Sequence, residues 1–171
     1  MPLCFISIGS NINREHNISS ALEVLQCKFG SLTYSSVYES DSVGFSGDAF
    51  LNLVISFYSD HDPVHIAMQL KNIEAEHERV RTKEKFSSRT LDLDLLLYDE
   101  KIISTEALSI PHDDILNYAF VLEPLAEIAP DKHHPIKNVC YQKLWQEFDK
   151  SKAAQQKIDH LAYTKSLAEH S

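Results

Sequence analysis

Arg79-Val80-Arg81-Thr82-Lys83-Glu84-Lys85-Phe86-Ser87-Ser88-Arg89-Thr90-Leu91-Asp92-Leu93-Asp94-Leu95-Leu96-Leu97-Tyr98 is the stretch from which the fold is read. From Thr90 onward it alternates as a strand does, so Asp92 and Asp94 share one face while Leu91, Leu93 and Leu95 share the other. Two carboxylates about 7 Å apart along a strand cannot both leave water without a cation. Mg²⁺ suits them, because it takes oxygen ligands and divides its shell among one or two carboxylates, waters and substrate phosphates. Arg79, Arg81, Lys83, Lys85 and Arg89, just upstream, are the residue types that surround phosphates. Read singly, each of these residues fits a solvated strand face or an ordinary charged surface; together they point to phosphate chemistry.

Immediately upstream, Asp62-Pro63 is an N-cap followed by a first-turn proline, and Ile66, Leu70 and Ile73 keep helical spacing to about Arg79. Between helix and strand, Thr82 to Ser88 lacks apolar periodicity and reads as a lid with one aromatic residue, Phe86. Downstream come a turn at Asp99-Glu100, a short strand over Lys101–Ser104 and the segment Ile110-Pro111-His112-Asp113. A helix from Asn117 to Ile128 follows, with Phe120, Val121, Leu125 and Ile128 inward and Ala129-Pro130 as its stop. His133-His134 lacks a third ligand nearby and reads as loop. Val139 to about Lys157 is expected to be helical, with Leu144 and Phe148 packing beneath and Trp145 in the core, and the chain turns polar from about Ser151.

Toward the N-terminus, Leu3–Ile8 is a buried strand ending in the turn residues Gly9-Ser10-Asn11. Ile18, Ala21, Leu22, Leu25 and Phe29 define an amphipathic helix over about Asn13–Phe29, stopped at Gly30. Thr33–Glu39 reads as a strand and Ser40–Asp48 as a ligand-approaching loop. Ala49–Tyr58 alternates, with Leu51, Leu53, Ile55 and Phe57 on one face and Phe50, Asn52 and Val54 on the other. The amide of Asn52 must hydrogen-bond within the protein or to a ligand.

At 171 residues and 43% apolar content the chain fits one domain with one core, here expected to span residues 1–171. A net charge of −9 disfavours nucleic acid and anionic membranes, so cations for a nucleotide must be concentrated locally. No apolar run reaches membrane-spanning length and the start lacks a signal-peptide pattern, which makes a cytoplasmic protein the expectation. Cys4, Cys27 and Cys140 have neither disulfide-framework nor zinc-like spacing.

Arg89-Thr90-Leu91-Asp92-Leu93-Asp94 after a basic loop, with Gly9-Ser10-Asn11, Phe50-Leu51-Asn52, Pro111-His112 and Phe120 in order, resembles the 6-hydroxymethyl-7,8-dihydropterin pyrophosphokinase family over about residues 3–130. The resemblance implies an α+β fold with a ferredoxin-like βαββαβ core, extra strands and three α/β/α layers. It implies pyrophosphoryl transfer from ATP to a pterin alcohol with two Mg²⁺ ions, small-molecule substrates only, and a monomer. By resemblance, Asp92 and Asp94 hold metal and, with Arg79 and Arg89, form the catalytic group. Glu74, Arg81, Lys85, Arg89, Leu95, Ser109 and His112 meet ATP. Ser40, Asp41, Val43, Phe50, Asn52, Phe86, Asp92 and Phe120 meet the pterin, Phe86 standing where the family has a Trp.

Departures fall on the nucleotide side. Asn117 or Tyr118 stands where the family usually has an Arg, Ala107 replaces another Arg, and Thr82 replaces a Lys. Each absent cation removes a charge-assisted contact of roughly 1.5–3 kcal/mol. Two alternatives follow: a pterin-binding paralogue with weakened or altered transfer, or a non-catalytic ferredoxin-like module that binds a small ligand or partner.

Overall fold

The computed structural model describes residues 1–40, 49–78, 91–153 and 155–158. β1 (Leu3–Ser10), the long apolar strand, lies between β5 (Asp92–Tyr98) and β4 (Phe50–Tyr58). With β2 (Thr33–Tyr34), β3 (Tyr38–Ser40) and β8 (Gln155–Lys157) these form a six-stranded antiparallel sheet with the path β5-β1-β4-β3-β8, β2 pairing β4. α1 (Arg14–Phe29) follows β1, and α2 (Pro63–Glu78) joins β4 to β5, so β1-α1-β3-β4-α2-β5 makes two interleaved βαβ units. This is the expected α+β, ferredoxin-like core.

The strand alternation separates two cores. Leu51, Leu53, Ile55 and Phe57 of β4 pack with Leu91, Leu93 and Leu95 beneath α1 and α2, which contribute Ile18, Leu22, Leu25, Ile66, Leu70 and Ile73. On the other face Phe5, Val54 and Leu97 meet Val121, Leu122 and Leu125 of α4 (Ala119–Ile128) and Tyr141 of α5 (Tyr141–Glu147). Three layers result. Ile55 and Leu70 are almost fully buried, so cutting either to Ala costs about 2–5 kcal/mol. The helix ends follow their sequence signals: Asp62 Oδ1 accepts from Val64 N at 2.8 Å, and Gly30, at φ +85°, donates its N–H to Gln26 O at 2.9 Å.

Four expectations are corrected. The strand over Thr33–Glu39 is two short strands, because Val54 N donates to the Ser35 side-chain hydroxyl in place of a backbone carbonyl, interrupting the ladder. The strand over Lys101–Ser104 shrinks to β6 (Ile103–Ser104), paired with β7 (Ser109–Ile110), since Lys101 N is used in closing the turn onto Tyr98 O. The helix over Asn117–Ile128 is broken: α3 (Asp114–Asn117) ends at Tyr118, whose extended backbone (φ −129°, ψ 127°) precedes α4. The helix expected to reach Lys157 stops at Glu147, where Phe148 turns extended and stacks on Trp145, and residues 155–157 join the sheet edge as β8. A polar segment without an apolar stripe has nothing to hold it as a helix, whereas the open edge of β3 offers backbone partners. Trp145 is half-buried against the second core, and Leu144 and Phe148 pack there as expected.

His134 is a buried loop residue: its Nδ1 accepts from Ile136 N and Lys137 N at 3.2 and 3.1 Å, and burial, with Lys137, lowers its pKa. Among the described residues no helix is long and apolar enough to cross a membrane.

Candidate active site

Antiparallel register brings the sequence's scattered polar residues into rows. Asp92 of β5 opposes Gly9 of β1, Gly9 opposes Asn52 of β4, and Asn52 opposes Tyr38 of β3. Directly opposed residues share a face, so Tyr38, Asn52 and Asp92 project to the same side, with Asp94 beside Asp92. That side carries α3 and α4. Gly9 carries no side chain and the Asn52 amide leans over it, while the backbones of β4 and β5 stand two strand spacings, about 10 Å, apart. Asn52 is buried and donates from Nδ2 to Ser40 Oγ at 2.9 Å, so its orientation is held by the strand beyond it. Phe50 begins the same strand, half-buried and on the same face as Asn52.

Next to this row stands a compact polar group. His112 N donates to Leu96 O at 3.0 Å, docking the residue against β5. Its Nε2 lies 4.0 Å from Asp94 Oδ1, and its Nδ1 lies 3.7 Å from Asp114 Oδ2. Nδ1 also accepts the backbone N–H of Asp114 at 3.1 Å, so the neutral ring carries its proton on Nε2, on the Asp94 side. One ligand atom from each of Asp94, His112 and Asp114 lies within 4.8 Å of the others, an arrangement able to hold a metal ion. Burial raises the Asp114 pKa; His112 opposes the shift, while Asp92 and Asp113 add to it. Asp114 had gone unnoticed in the sequence, although an acid two residues after a His was the available signal.

Glu74 reaches this acidic edge from α2. Its Oε1 is 3.2 Å from Lys71 Nζ, yet that oxygen is buried without an aligned hydrogen-bond donor among the described residues. Burial pushes the carboxyl up to about 7; Lys71 opposes this, and Asp92 and Asp94 reinforce it. The same two acids help raise the Lys71 ammonium, after the larger pull of Glu74 itself. The cluster therefore carries more negative charge than its own described cations offset.

Phe120 sits half-buried in the first turn of α4, its ring stacked on exposed Tyr118 at 5.0 Å. Pro124 has no N–H to return to the Phe120 carbonyl. α4 is fastened to the sheet by Glu127, which accepts from Ser36 N (3.1 and 3.0 Å), Ser36 Oγ (2.6 Å) and Tyr38 Oη (2.7 Å). Burial works to raise the Glu127 pKa, but these donors outweigh it and hold the carboxyl below its ordinary value.

The structure thus brings Asn52, Ser40, Asp92, Asp94 and His112 together on one side of the sheet. Leu95 buries its side chain in the opposite core, and Ser109 is exposed on β7. Asp41, Val43, Arg79, Arg81, Lys85, Phe86 and Arg89, with Thr82, lie outside the described residues. Ala107 is exposed in the β6–β7 loop.

Residues 5–130 match the family model for 7,8-dihydro-6-hydroxymethylpterin-pyrophosphokinase (HPPK). The chain is 37% identical over 135 residues to the 2-amino-4-hydroxy-6-hydroxymethyldihydropteridine pyrophosphokinase of Haemophilus influenzae, covering 77% of this chain and 84% of that protein. The protein of the same name from Aquifex aeolicus is 33% identical over 150 residues, covering 86% and 91%. A folic acid synthesis protein, fol1, of Pneumocystis carinii is 38% identical over 135 residues, but the chain spans only 18% of its length. A crystal structure of wild-type Plasmodium falciparum HPPK-DHPS superposes with a TM-score of 0.71 at 15% identity; the match covers 92% of this chain and 47% of that one, and attests the fold alone. With the matched region reaching from β1 through α4, and the Asn52–Gly9–Asp92 row and Asp94–His112 pair inside it, the chain belongs to the 7,8-dihydro-6-hydroxymethylpterin-pyrophosphokinase family.

Proposed function

We infer that this chain transfers the pyrophosphoryl group of ATP to 6-hydroxymethyl-7,8-dihydropterin, releasing AMP, as a step of folate synthesis. The observation that carries the reading is the Asn52–Gly9–Asp92 row, in which the buried amide lies over Gly9, beside the Asp94–His112–Asp114 group. The pterin lies along that row with its amide edge on Asn52 and its ring against Phe120, while Phe50 and Ser40 border it. Its hydroxymethyl oxygen attacks the β-phosphorus of ATP and gives up its proton to water, the anhydride bond from the β-phosphorus to the α-phosphate breaks, and AMP leaves.

Phosphoryl transfer needs positioning and charge stabilisation more than a covalent nucleophile. The carboxylates of Asp92 and Asp94, hard oxygen donors on one face, fit Mg²⁺, which shares carboxylates with phosphates. Bound there, Mg²⁺ would supply neutralisation of the negative charge that builds up on the phosphate oxygens. Imidazole suits other metals better. His112 therefore serves by its Nε2–H, donating to a phosphate oxygen, and Asp114 holds the ring from behind. Arg79, Arg81, Lys85 and Arg89 contribute cations and Phe86 a second stacking face, by their match to the family pattern. The protein acts as a single pyrophosphokinase domain, monomeric and cytoplasmic.

The test is AMP formation from ATP, hydroxymethyl dihydropterin and Mg²⁺. Stoichiometric AMP and pterin diphosphate, lost on chelation, is the expected result. ATP turnover without pterin diphosphate, or full activity in chelator, would overturn it.

A further inference from the structure

Residues 155–158 lie, by sequence, in the polar stretch that begins at about Ser151, and the known chemistry leaves them without a part. The structure puts them in contact with both sides of the candidate pterin pocket. β8 pairs along β3 in the register Gln155↔Ser40, Glu39↔Gln156 and Tyr38↔Lys157, so Gln155 lies opposite the hydroxyl-bearing residue that holds Asn52. Ile158 N then donates to Val37 O at 2.9 Å, and its side chain packs on the first core, anchoring the segment's far end.

From the same segment the Gln155 side chain reaches across to α4. Its Nε2 donates to Ala119 O at 3.2 Å and to Glu123 Oε1 at 2.6 Å, gripping both ends of the helical turn that carries Phe120. Lys157 lies 4.0 Å from Glu127 Oε2 and 6.0 Å from the centre of the Tyr38 ring, one turn further along α4. Tyr118 breaks the chain just before α4, so the first turn of the helix is not held from its N-terminal side by a continuous helix. Pro124 removes one of the hydrogen bonds that would stiffen it from within.

We propose that Gln155 is a positioning residue for the pterin: by clamping the Ala119–Glu123 turn to the Ser40 edge, it sets the separation between the Phe120 ring and the Asn52 amide. This rests on the reading of Phe120 and Asn52 as pterin contacts. A charge-assisted bond at the base of a ring-bearing turn fixes where that ring waits, which favours binding of a flat ligand without touching the phosphates.

The test uses the full-length protein with Gln155→Ala, Gln155→Lys and Phe120→Ala. Gln155→Ala raises the pterin KM about tenfold, the loss of roughly one charge-assisted hydrogen bond, with ATP KM and kcat unchanged and the melting temperature within a few degrees. Gln155→Lys, which restores a donor to Glu123, recovers most of the loss. An unchanged pterin KM in Gln155→Ala, beside a raised one in Phe120→Ala, overturns the clamp and leaves the pterin site standing. An unchanged pterin KM in Phe120→Ala removes the pterin role of that ring, and the clamp with it. A parallel fall in kcat, ATP affinity and melting temperature in Gln155→Ala marks a merely structural contact and also overturns the proposal.

Discussion

The Asn52 Oδ1 atom lies 2.8 Å from the point where a Cβ on Gly9 would stand. The amide of one strand thus occupies the space that the glycine of the next leaves open, and both sit in the row that ends at Asp92. Gly9→Ala would force the Asn52 side chain to rotate and to give up its bond to Ser40, at about 1 kcal/mol or more. The expected outcome is a pterin affinity at least about tenfold weaker, measured by calorimetry, with ATP-analogue affinity retained. Equal pterin binding in the variant would show that the amide does not read the ligand.

Asp94 combines exposure to the site with a scaffold that does not depend on it, since its neighbours Leu93 and Leu95 carry the packing. Asp94→Ala should abolish AMP release, a fall of at least about a hundredfold, while the melting temperature stays within a few degrees. Near-normal turnover would refute its place beside the phosphates.

Asp114 tests the group beside that carboxylate, since a ligand atom of each lies within 4.8 Å of the other. Removing an outer partner of a metal and phosphate site costs about ten- to a hundredfold in metal affinity or activity. In Asp114→Asn the Mg²⁺ concentration for half-maximal rate is expected to rise about tenfold, with part of the rate recovered at high Mg²⁺. A Mg²⁺ titration superimposable on that of the unchanged protein would place Asp114 outside the site.

Glu74 makes a prediction about pH. Its folded pKa of about 7 lies above the ordinary value of 4.5, so the folded protein holds a proton that the unfolded chain releases. Stability contributed by this group is present at low pH and falls as pH rises from about 4.5 to about 7. Glu74→Gln removes that dependence. Between pH 5 and pH 8, denaturant unfolding of the metal-free protein should show the Gln variant gaining on the unchanged one by about 2–3 kcal/mol. Parallel stability curves would mean that Glu74 is ionised throughout.

Tyr118 stacks on Phe120 at one of the two positions that match the family's usual Arg. Tyr118→Arg should lower the ATP KM by about tenfold, in line with one added charge-assisted contact, because an exposed guanidinium can reach phosphate without disturbing the core. Steady-state kinetics with ATP varied checks it, and an unchanged KM would show that the nucleotide does not pass this side chain.

The strongly periodic elements were legible from residue order alone. Leu3–Ile8, the Ile18-to-Leu25 stripe and the alternation of β4 and β5 bury the residues their spacing says they should, because a strand has two faces and a helix one stripe whatever surrounds them. That Asp92 and Asp94 share a side follows from the same periodicity. The lengths of weak segments did not follow: Thr33–Glu39 was cut by a hydroxyl from Ser35, and residues 155–157 became a strand only because β3 had an open edge to offer.

Residue order by itself determined the family, the sheet's alternation and the choice of acids, since these depend on side-chain type and near-neighbour spacing. Tertiary structure alone decided that Gly9 would lie between Asn52 and Asp92, that His112 would come up beside Asp94, and that Gln155 would hold the helix of Phe120. Those relationships join residues far apart along the chain, and no local periodicity encodes a register between strands or the side chain that a distant segment will meet.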